Sequence, residues 1–324
     1  MNNFSIDNIR NTMSDANTFL IITHKRPDGD AISSSLAMFW YLLDNGKKET
    51  LIDVIIPEYT KELAFVPGTE FFKKHPTRSR YDLAIVVDCS EPRLLHGEEY
   101  LKLSDKVICV DHHENPLLQA DYSILDSDSA SCTSIIYHIF PCENVKYLYC
   151  IATGLISDTS NLTLNVTKGV TNIINQLGNF GVDIDEISKK LSAKSSRTEE
   201  LLSLVIERGK IFENTVFCSY LLQADLLDSE KNLTNVNHKL IIQGLQEQVK
   251  FETLILLIEN DLGEFKGSLR TFNPNIDFNK ICSELLAKGK ILKGGGHSYS
   301  AGCTAIGSLD ELFKIILKEV LNNK

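Results

Sequence analysis

Four apolar runs in the first 111 residues constrain the fold of this chain more than any other feature. The runs are TFLIITH (18–24), LIDVIIP (51–57), DLAIVVD (82–88) and KVICVD (106–111). They are nearly continuous in Val, Ile and Leu, which is typical of strands buried on both faces of a parallel sheet. Helical spacing recurs at 31–46 and at about 130–140, 145–156 and 168–180. We therefore expect an α/β domain with a doubly wound, mostly parallel sheet.

The remainder of the chain predicts a second, smaller α/β domain. A charged, helix-favouring segment, DEISKKLSAKSSRTEELLSLVIERGK, covers 185–210, with Ser195 and Ser196 at a predicted helix start. Strands are predicted at 215–222, 253–260 and 264–271, and a helix near 277–288. The predicted boundaries are 1–185 for the first domain, 186–210 for a helical connector and 211–324 for the second domain.

Charge and cysteine content exclude several classes of protein. The chain of 324 residues carries a net charge of −10 and has no long run of Lys or Arg, so duplex DNA is not an expected ligand. The start MNNFSIDNIR has no apolar core after a basic segment, and no apolar run approaches a membrane span. The eight Cys form no CxxC pair. We expect a cytoplasmic protein without a disulfide framework.

Acidic and imidazole side chains collect where the predicted strands end. Because ligands of open parallel sheets bind at the carboxyl ends of the strands, these side chains are expected to converge. Several buried carboxylates would raise one another's pKa, and divalent cations resolve that conflict. The residues concerned are His24, Asp28, Asp30, Asp88, Asp111, His112, His113 and Asp158.

The ligand types indicate which cations fit. Oxygen from Asp and nitrogen from His, without Cys, favour Mn²⁺, Mg²⁺ or Fe²⁺ over structural zinc. Asp88 ends a central strand and is the best candidate to bridge two ions, a pairing that suits displacement at phosphorus. A single strand-end Asp is more often a turn or helix cap. The occurrence of HKRPDGD, VVDCS, DHH and SDTS in predicted loops after apolar segments favours the metal site over that alternative.

These segments resemble a known family. HKRPDGDAISSSLAM, VDCSEPR, DHHENP and TGLISDTSN are similar to the four motifs of the DHH phosphoesterases, and GSLRT and GGGHSYSAG to those of the companion DHHA1 domain. The resemblance covers nearly the whole chain and is strongest to the branch of oligoribonucleases (nanoRNases) and pAp phosphatases. Ser33 and Ser157 depart from the residues usual in the family, as does SNLTL after Asp158–Thr159, without loss of a ligand.

The resemblance implies a role for each matching residue. His24, Asp28 and Asp88 would hold one Mn²⁺, and Asp30, Asp88, His112 and Asp158 a second, with Mg²⁺ or another divalent ion as alternatives. Asp111 would orient the two histidines, and His113 would contact the substrate or donate a proton, so the catalytic set is Asp88, Asp111, His112 and His113. The implied substrate-binding residues are His113, Ser268, Arg270, Gly294, Gly295, Gly296 and His297.

The GGGH segment allows two interpretations. Consecutive glycines can form an anion-binding nest of backbone N–H groups, with Arg270 and His297 as added donors to a phosphate. They can also form a flexible turn before a strand. The upstream metal motifs favour the phosphate-binding interpretation.

The implied activity is hydrolysis of phosphoester bonds, by a 3′–5′ exoribonuclease and nucleotide phosphatase. Very short single-stranded RNAs would give 5′-mononucleotides, and 3′-phosphoadenosine 5′-phosphate (pAp) would give AMP. The alternative is a phosphodiesterase for cyclic dinucleotides or their linear products; inorganic pyrophosphatase and a non-catalytic nucleotide sensor fit less well. No membrane partner is expected. Cleavage polarity and the choice between monomer and homodimer stay open.

Overall fold

The chain divides into two compact units, residues 1–193 and 194–324. The computed structural model describes residues 6–322 except 115, 194, 229, 232, 234 and 235. None of the helices in these described stretches is both long and apolar enough to span a membrane.

The first unit is a parallel sheet with helices packed against it. Its strands are β1 Phe19–Ile22, β2 Ile52–Ile55, β3 Phe72–Lys73, β4 Tyr81–Val87, β5 Ser104–Asp111 and β6 Tyr122–Leu125. Its helices are α1 Ile6–Asp15, α2 Gly29–Asp44, α3 Cys132–Ile139, α4 Val145–Asp158, α5 Lys168–Asn179 and α6 Ile184–Ser192. Within the described residues of this unit the strand order is β3-β2-β1-β4-β5-β6, with every pairing parallel. The predicted doubly wound sheet is confirmed.

The order of the strands reverses beside β1. Every residue of β1 is buried, and β4 is buried at all but one position, as expected for central strands covered on both faces. The strands β1 and β4 pair in parallel up to Ile22 opposite Val86, so their carboxyl ends meet at one place. The connections that follow β1 and β4 lead in opposite directions from this place. The crevice between them is where sheets of this kind bind ligands.

The second unit has a mixed sheet. Its strands are β7 Lys210–Phe212, β8 Val216–Leu221, β9 Thr253–Glu259, β10 Phe265–Thr271, β11 Lys293–His297 and β12 Ser300–Ala305. Its helices are α7 Ser196–Glu207, α8 His238–Gln248, α9 Phe278–Ala287 and α10 Leu309–Asn322. In the part of this unit that the structure describes, the order is β11-β12-β10-β9-β8-β7, and only β8 and β9 pair in parallel. Ser195 caps α7 through its side chain, as predicted.

The three glycines of GGGH lie in strand β11, and neither sequence interpretation describes them correctly. Gly294, Gly295 and Gly296 pair with residues 303, 302 and 301 of β12. In an extended strand, successive N–H groups point to opposite sides, whereas a nest needs them to converge on one anion. The predicted nest and the alternative turn are both wrong, because pairing with β12 holds these residues in a ladder at the sheet edge.

Two glycines allow α4 to pack closely against its neighbours. A Cβ atom on Gly154 of α4 would lie 2.5 Å from Asp30 Oδ1 in α2 and 2.5 Å from Thr133 Cγ2 in α3. A Cβ atom on Gly29 would lie 2.2 Å from Ser157 Oγ. The backbone of α4 therefore lies against Asp30, and no larger side chain fits at position 154.

We predict that Gly154→Ala destabilises the first unit by about 1–3 kcal/mol, because overpacking outweighs the gain in helix propensity. Gly178→Ala in α5 is the matched control: its Cβ would meet no atom within 4 Å, so this variant should be unchanged or up to about 1 kcal/mol more stable. Urea unfolding measures both. Equal stability of the two variants would show that the space around Gly154 is not restricted.

Candidate metal centre

Asp88 lies at the carboxyl end of β4 and faces histidines on two sides. Its backbone is left-handed, with φ of 54°, a conformation that Asp tolerates better than most residues. Its N–H donates to the carbonyl of Val110 over 2.9 Å. Asp88 Oδ2 lies 3.6 Å from His24 Nε2, and Oδ1 lies 3.4 Å from His112 Nε2. Each oxygen of this buried carboxylate therefore faces a different histidine.

Asp28 and Asp30 are placed by the start of α2. Asp28 is the N-cap of this helix, and its Oδ1 accepts hydrogen bonds from the N–H groups of Asp30 and Ala31, at 3.1 and 3.2 Å. Asp30 is the second residue of the helix and is completely buried. Asp158 is likewise helical, as the last residue of α4. The expectation that these motifs all lie in loops is therefore wrong for Asp30 and Asp158.

His112 connects three carboxylates. Its Nε2 lies 3.2 Å from Asp158 Oδ2, 3.4 Å from Asp88 Oδ1 and 4.0 Å from Asp30 Oδ2. Its Nδ1 lies 3.2 Å from the carbonyl of Ser129. Donation from Nδ1–H to this carbonyl fixes the orientation of the ring and leaves Nε2 as the nitrogen that faces the carboxylates.

Asp111 orients the two histidines that follow it. Its Oδ1 accepts from the backbone N–H of His112 at 2.8 Å, and from the N–H and Nδ1 of His113 at 3.3 and 2.8 Å. Burial disfavours the charged imidazole of His113, but the hydrogen bond to Asp111 and the charges of Asp88 and Asp111 outweigh it and raise the pKa of His113 to about 9. The side chain of His113 is 52% exposed, so this charge borders solvent.

Three overlapping groups of side chains have the ligand types and spacing of cation sites. Within each group the ligand atoms lie within 4.8 Å of one another. The groups are His24 with Asp28 and Asp88; Asp30 with His112 and Asp158; and Asp88 with His112 and His113. All of the predicted metal ligands belong to these groups.

Two buried atoms in this cluster support the fit of a cation. Among the described residues, Asp88 Oδ1 and His112 Nε2 are buried and have no hydrogen-bond partner. Buried polar atoms without partners are costly, and these two are a carboxylate oxygen and an imidazole nitrogen, the donor types of divalent transition metals. Burial, followed by the charges of Asp88 and Asp158, raises the pKa of Asp30 well above its usual value. A divalent cation would satisfy both atoms and offset this repulsion.

The segment 129–133 also contributes to the site, and sequence analysis missed it. Asp30 Oδ2 accepts from the N–H of Cys132 at 2.6 Å, and Asp30 Oδ1 accepts from the N–H and Oγ1 of Thr133 at 3.1 and 2.7 Å. The carbonyl of Ser129 is the partner of His112. The helix-capping pattern around Ser131 predicts the start of α3, but it carries no signal of a contact with residues a hundred positions earlier.

In the second unit, Ser268, Arg270 and His297 lie on one face of the sheet. Arg270 and His297 both pair with Ser300 of β12, so the three side chains share a face with that residue. The Nη1 atom of Arg270 donates to the carbonyls of residues 269 and 301, at 2.8 and 3.4 Å. Burial lowers the pKa of Arg270 to about 10. Within the described part of the chain no carboxylate pairs with this guanidinium, so its charge is available to an anion.

Comparisons with known proteins agree with the sequence motifs. Residues 18–157 match the model of the DHH family, N-terminal domain. The chain is 24% identical over 307 residues to the bifunctional oligoribonuclease and PAP phosphatase NrnA of Thermus thermophilus, covering 93% of this chain and 88% of that protein. It is 21% identical over 318 residues to the protein of the same name from Bacillus subtilis, covering 94% of each.

The fold is shared with a solved structure. A crystal structure of an exopolyphosphatase-related protein from Bacteroides fragilis superposes with a TM-score of 0.81 at 20% identity, covering 98% of this chain and 95% of that one. At this identity the likeness supports the fold of both units.

We predict that Asp88→Ala abolishes cation binding and hydrolysis more completely than Asp158→Ala. Asp88 belongs to two of the three ligand groups, whereas Asp158 belongs to one. Metal content after equilibrium dialysis against Mn²⁺, measured together with turnover, tests this. Two tightly held ions and near-normal turnover in Asp88→Ala would refute the shared role of this residue.

We also predict that cation binding releases protons. Burial opposes protonation of His112, but its close contacts with the carboxylates of Asp158 and Asp88 raise its pKa to about 12, so we expect Nε2 to carry a proton at neutral pH when no cation is bound. A cation must displace this proton, so its apparent affinity should fall as pH falls. Calorimetric titration with Mn²⁺ at pH 7, in two buffers of different protonation enthalpy, should count at least one released proton. The variant His138→Gln, which changes an exposed histidine of α3, should leave the count unchanged. A count of zero would contradict the prediction.

Proposed function

We propose that this chain, a hydrolase of phosphoester bonds with a DHH-family domain at 18–157, degrades very short oligoribonucleotides to 5′-mononucleotides and converts pAp to AMP. The observation that carries the proposal is the set of three overlapping ligand groups, two of which contain Asp88 and all of which offer carboxylate oxygen and imidazole nitrogen. The names of the relatives from Thermus thermophilus and Bacillus subtilis support the choice of substrates.

In this proposal two divalent cations, Mn²⁺ in preference to Mg²⁺, are held by the predicted ligands. His24, Asp28 and Asp88 hold one ion, and Asp30, His112 and Asp158, with Asp88, hold the other. The imidazole nitrogens favour Mn²⁺ over Mg²⁺, which prefers oxygen alone. When bound, such a pair of ions activates water at neutral pH and neutralises charge on a phosphoryl group.

His113 is proposed to act on the leaving group. Asp111 Oδ1 accepts the hydrogen bond of His113 Nδ1, which fixes the ring and leaves Nε2 as the atom that can donate a proton. The ring also lies beside His112, with centroids 4.6 Å apart, which places it next to the proposed ligands. Nε2 would protonate the ribose oxygen as the ester bond breaks.

The second unit is proposed to recognise a terminal phosphate of the substrate. Arg270 supplies a charge that no carboxylate of the described chain neutralises, and Ser268 and His297 add donors on the same sheet face. Gly294, Gly295 and Gly296 contribute an edge strand without side chains, which a phosphate or ribose can approach closely. Recognition of an end, together with a net charge of −10, favours short substrates over long RNA.

The free cysteines support a proposal for the cellular setting. All eight are free, and seven of them are buried among apolar side chains. We propose a reducing compartment, the cytoplasm, where free thiols persist.

We predict that kcat/KM of the Mn²⁺-loaded protein falls from dinucleotides to pentanucleotides. Arg270→Ala should lower kcat/KM for dinucleotides and pAp by roughly 2–4 kcal/mol, or about 30- to 900-fold, through loss of a charge-assisted contact. Steady-state kinetics on di- to pentanucleotides, pAp and cyclic dinucleotides measure both effects.

Arg80→Ala is the control for net charge. Arg80 is 77% exposed and pairs with Asp105, so removing it changes the total charge equally without touching the proposed phosphate site. Its kinetics should match the unmodified protein. Rates that rise with RNA length would contradict the proposal, and a preference for intact cyclic dinucleotides would support that alternative substrate class instead.

A further inference from the structure

We propose that the hydroxyl of Thr133 is a positioning group that holds Asp30 in the orientation needed to bind a cation. The inference rests on the metal centre of the proposed function. It adds a residue outside the ligand set, from helix α3, to the requirements of that centre.

The contacts of Asp30 divide its two oxygens between different partners. Oδ1 accepts from Thr133 Oγ1 at 2.7 Å and from the Thr133 N–H at 3.1 Å. Oδ2 accepts from the Cys132 N–H at 2.6 Å and is the oxygen that lies 4.0 Å from His112 Nε2. Anchoring of Oδ1 by Thr133 therefore fixes which oxygen is presented to His112 and Asp158.

The hydrogen atom of the Thr133 hydroxyl has one consistent direction. Thr133 Oγ1 also lies 2.9 Å from Ser131 Oγ, which in turn accepts from the N–H of Ser134 at 3.0 Å. With a cation bound, Asp30 is an ionised carboxylate that only accepts, so Thr133 must donate to Asp30 and receive the hydrogen bond of Ser131. Ser131, Thr133 and Asp30 thus form a continuous series of hydrogen bonds, and all three residues are completely buried. A different rotamer of Thr133 would break this series, which makes it costly.

Surrounding groups leave Asp30 little freedom once Thr133 holds it. The backbone of α4 at Gly154 closes the far side of Oδ1, and Ser34 Oγ lies 3.5 Å from the same atom. Without the hydroxyl, the two backbone N–H groups and the long contact with Ser34 Oγ would remain to define the plane of the carboxylate. The effect is expected at the group of Asp30, His112 and Asp158, because Asp30 belongs to this group and not to the group of His24, Asp28 and Asp88.

The test is titration of the metal-free full chain with Mn²⁺ alone, by calorimetry and by electron paramagnetic resonance of free Mn²⁺. Thr133→Val removes the hydroxyl and keeps the shape of the side chain. If this variant fails to fold, Thr133→Ala removes the hydroxyl without overpacking. Thr133→Ser retains a hydroxyl and is the conservative variant. We expect the Val and Ala variants to bind one Mn²⁺ as before and the second about 10- to 100-fold more weakly, with Ser within a few-fold of the unmodified protein.

Thr153→Val is the matched control. Thr153 is a completely buried threonine of α4 whose hydroxyl donates to the carbonyl of Tyr149 at 2.8 Å, so its loss has a similar cost to the fold. Both Mn²⁺ affinities should be unchanged in this variant. Unchanged affinities in Thr133→Val or Thr133→Ala would overturn the inference, as would equal weakening of both ions or an impaired Thr133→Ser.

This titration separates the inference from the proposed function. Because no substrate is present, an error in the substrate assignment leaves the expected pattern intact. Absence of Mn²⁺ binding by the unmodified protein would instead refute the metal centre itself, and the role of Thr133 with it.

Discussion

Carboxylates buried close together at the carboxyl ends of the parallel strands repel one another, and the residues around them in the first unit are arranged to offset that repulsion. Asp30 and Asp88 are almost fully buried, and Asp158 is held close to both through His112. Groups of like charge at such distances are stable only if hydrogen bonds and cations offset their interaction. Asp88 has a left-handed backbone at the position where its side chain faces His24 and His112, and such strained conformations are characteristic of functional sites.

The protein meets this constraint largely with backbone groups and paired side chains around the ligands. N–H groups at the start of α2 bind Asp28, N–H groups at the start of α3 bind Asp30, and a carbonyl binds the distal nitrogen of His112. Helix N-termini favour negative charge, so two helices stabilise the acidic cluster from outside. Rigid elements therefore set the ligand positions before any cation binds, which is the condition for high affinity at a defined geometry.

Sequence patterns predicted the parts of the fold that local composition determines. The continuous apolar run before Asp88 indicated β4, and the family resemblance, confirmed by the DHH-domain match, brought distant motifs into one site. Strand β3 has only two residues and β6 alternates between half-buried and exposed positions, so neither has a strong local signal. The strand at 293–297 depends on pairing with β12, and glycine composition alone favours turns. The contact of Thr133 with Asp30 depends on tertiary packing and could not be read from either segment.

We propose that two cations share Asp88 in the first unit. Anomalous diffraction from crystals of the full chain soaked in Mn²⁺ would locate them. We expect two peaks per chain that are both within coordination distance of Asp88, one beside His24 and Asp28 and one beside Asp30, His112 and Asp158. A single peak at saturating Mn²⁺, or two peaks of which one lies away from Asp88, would contradict it.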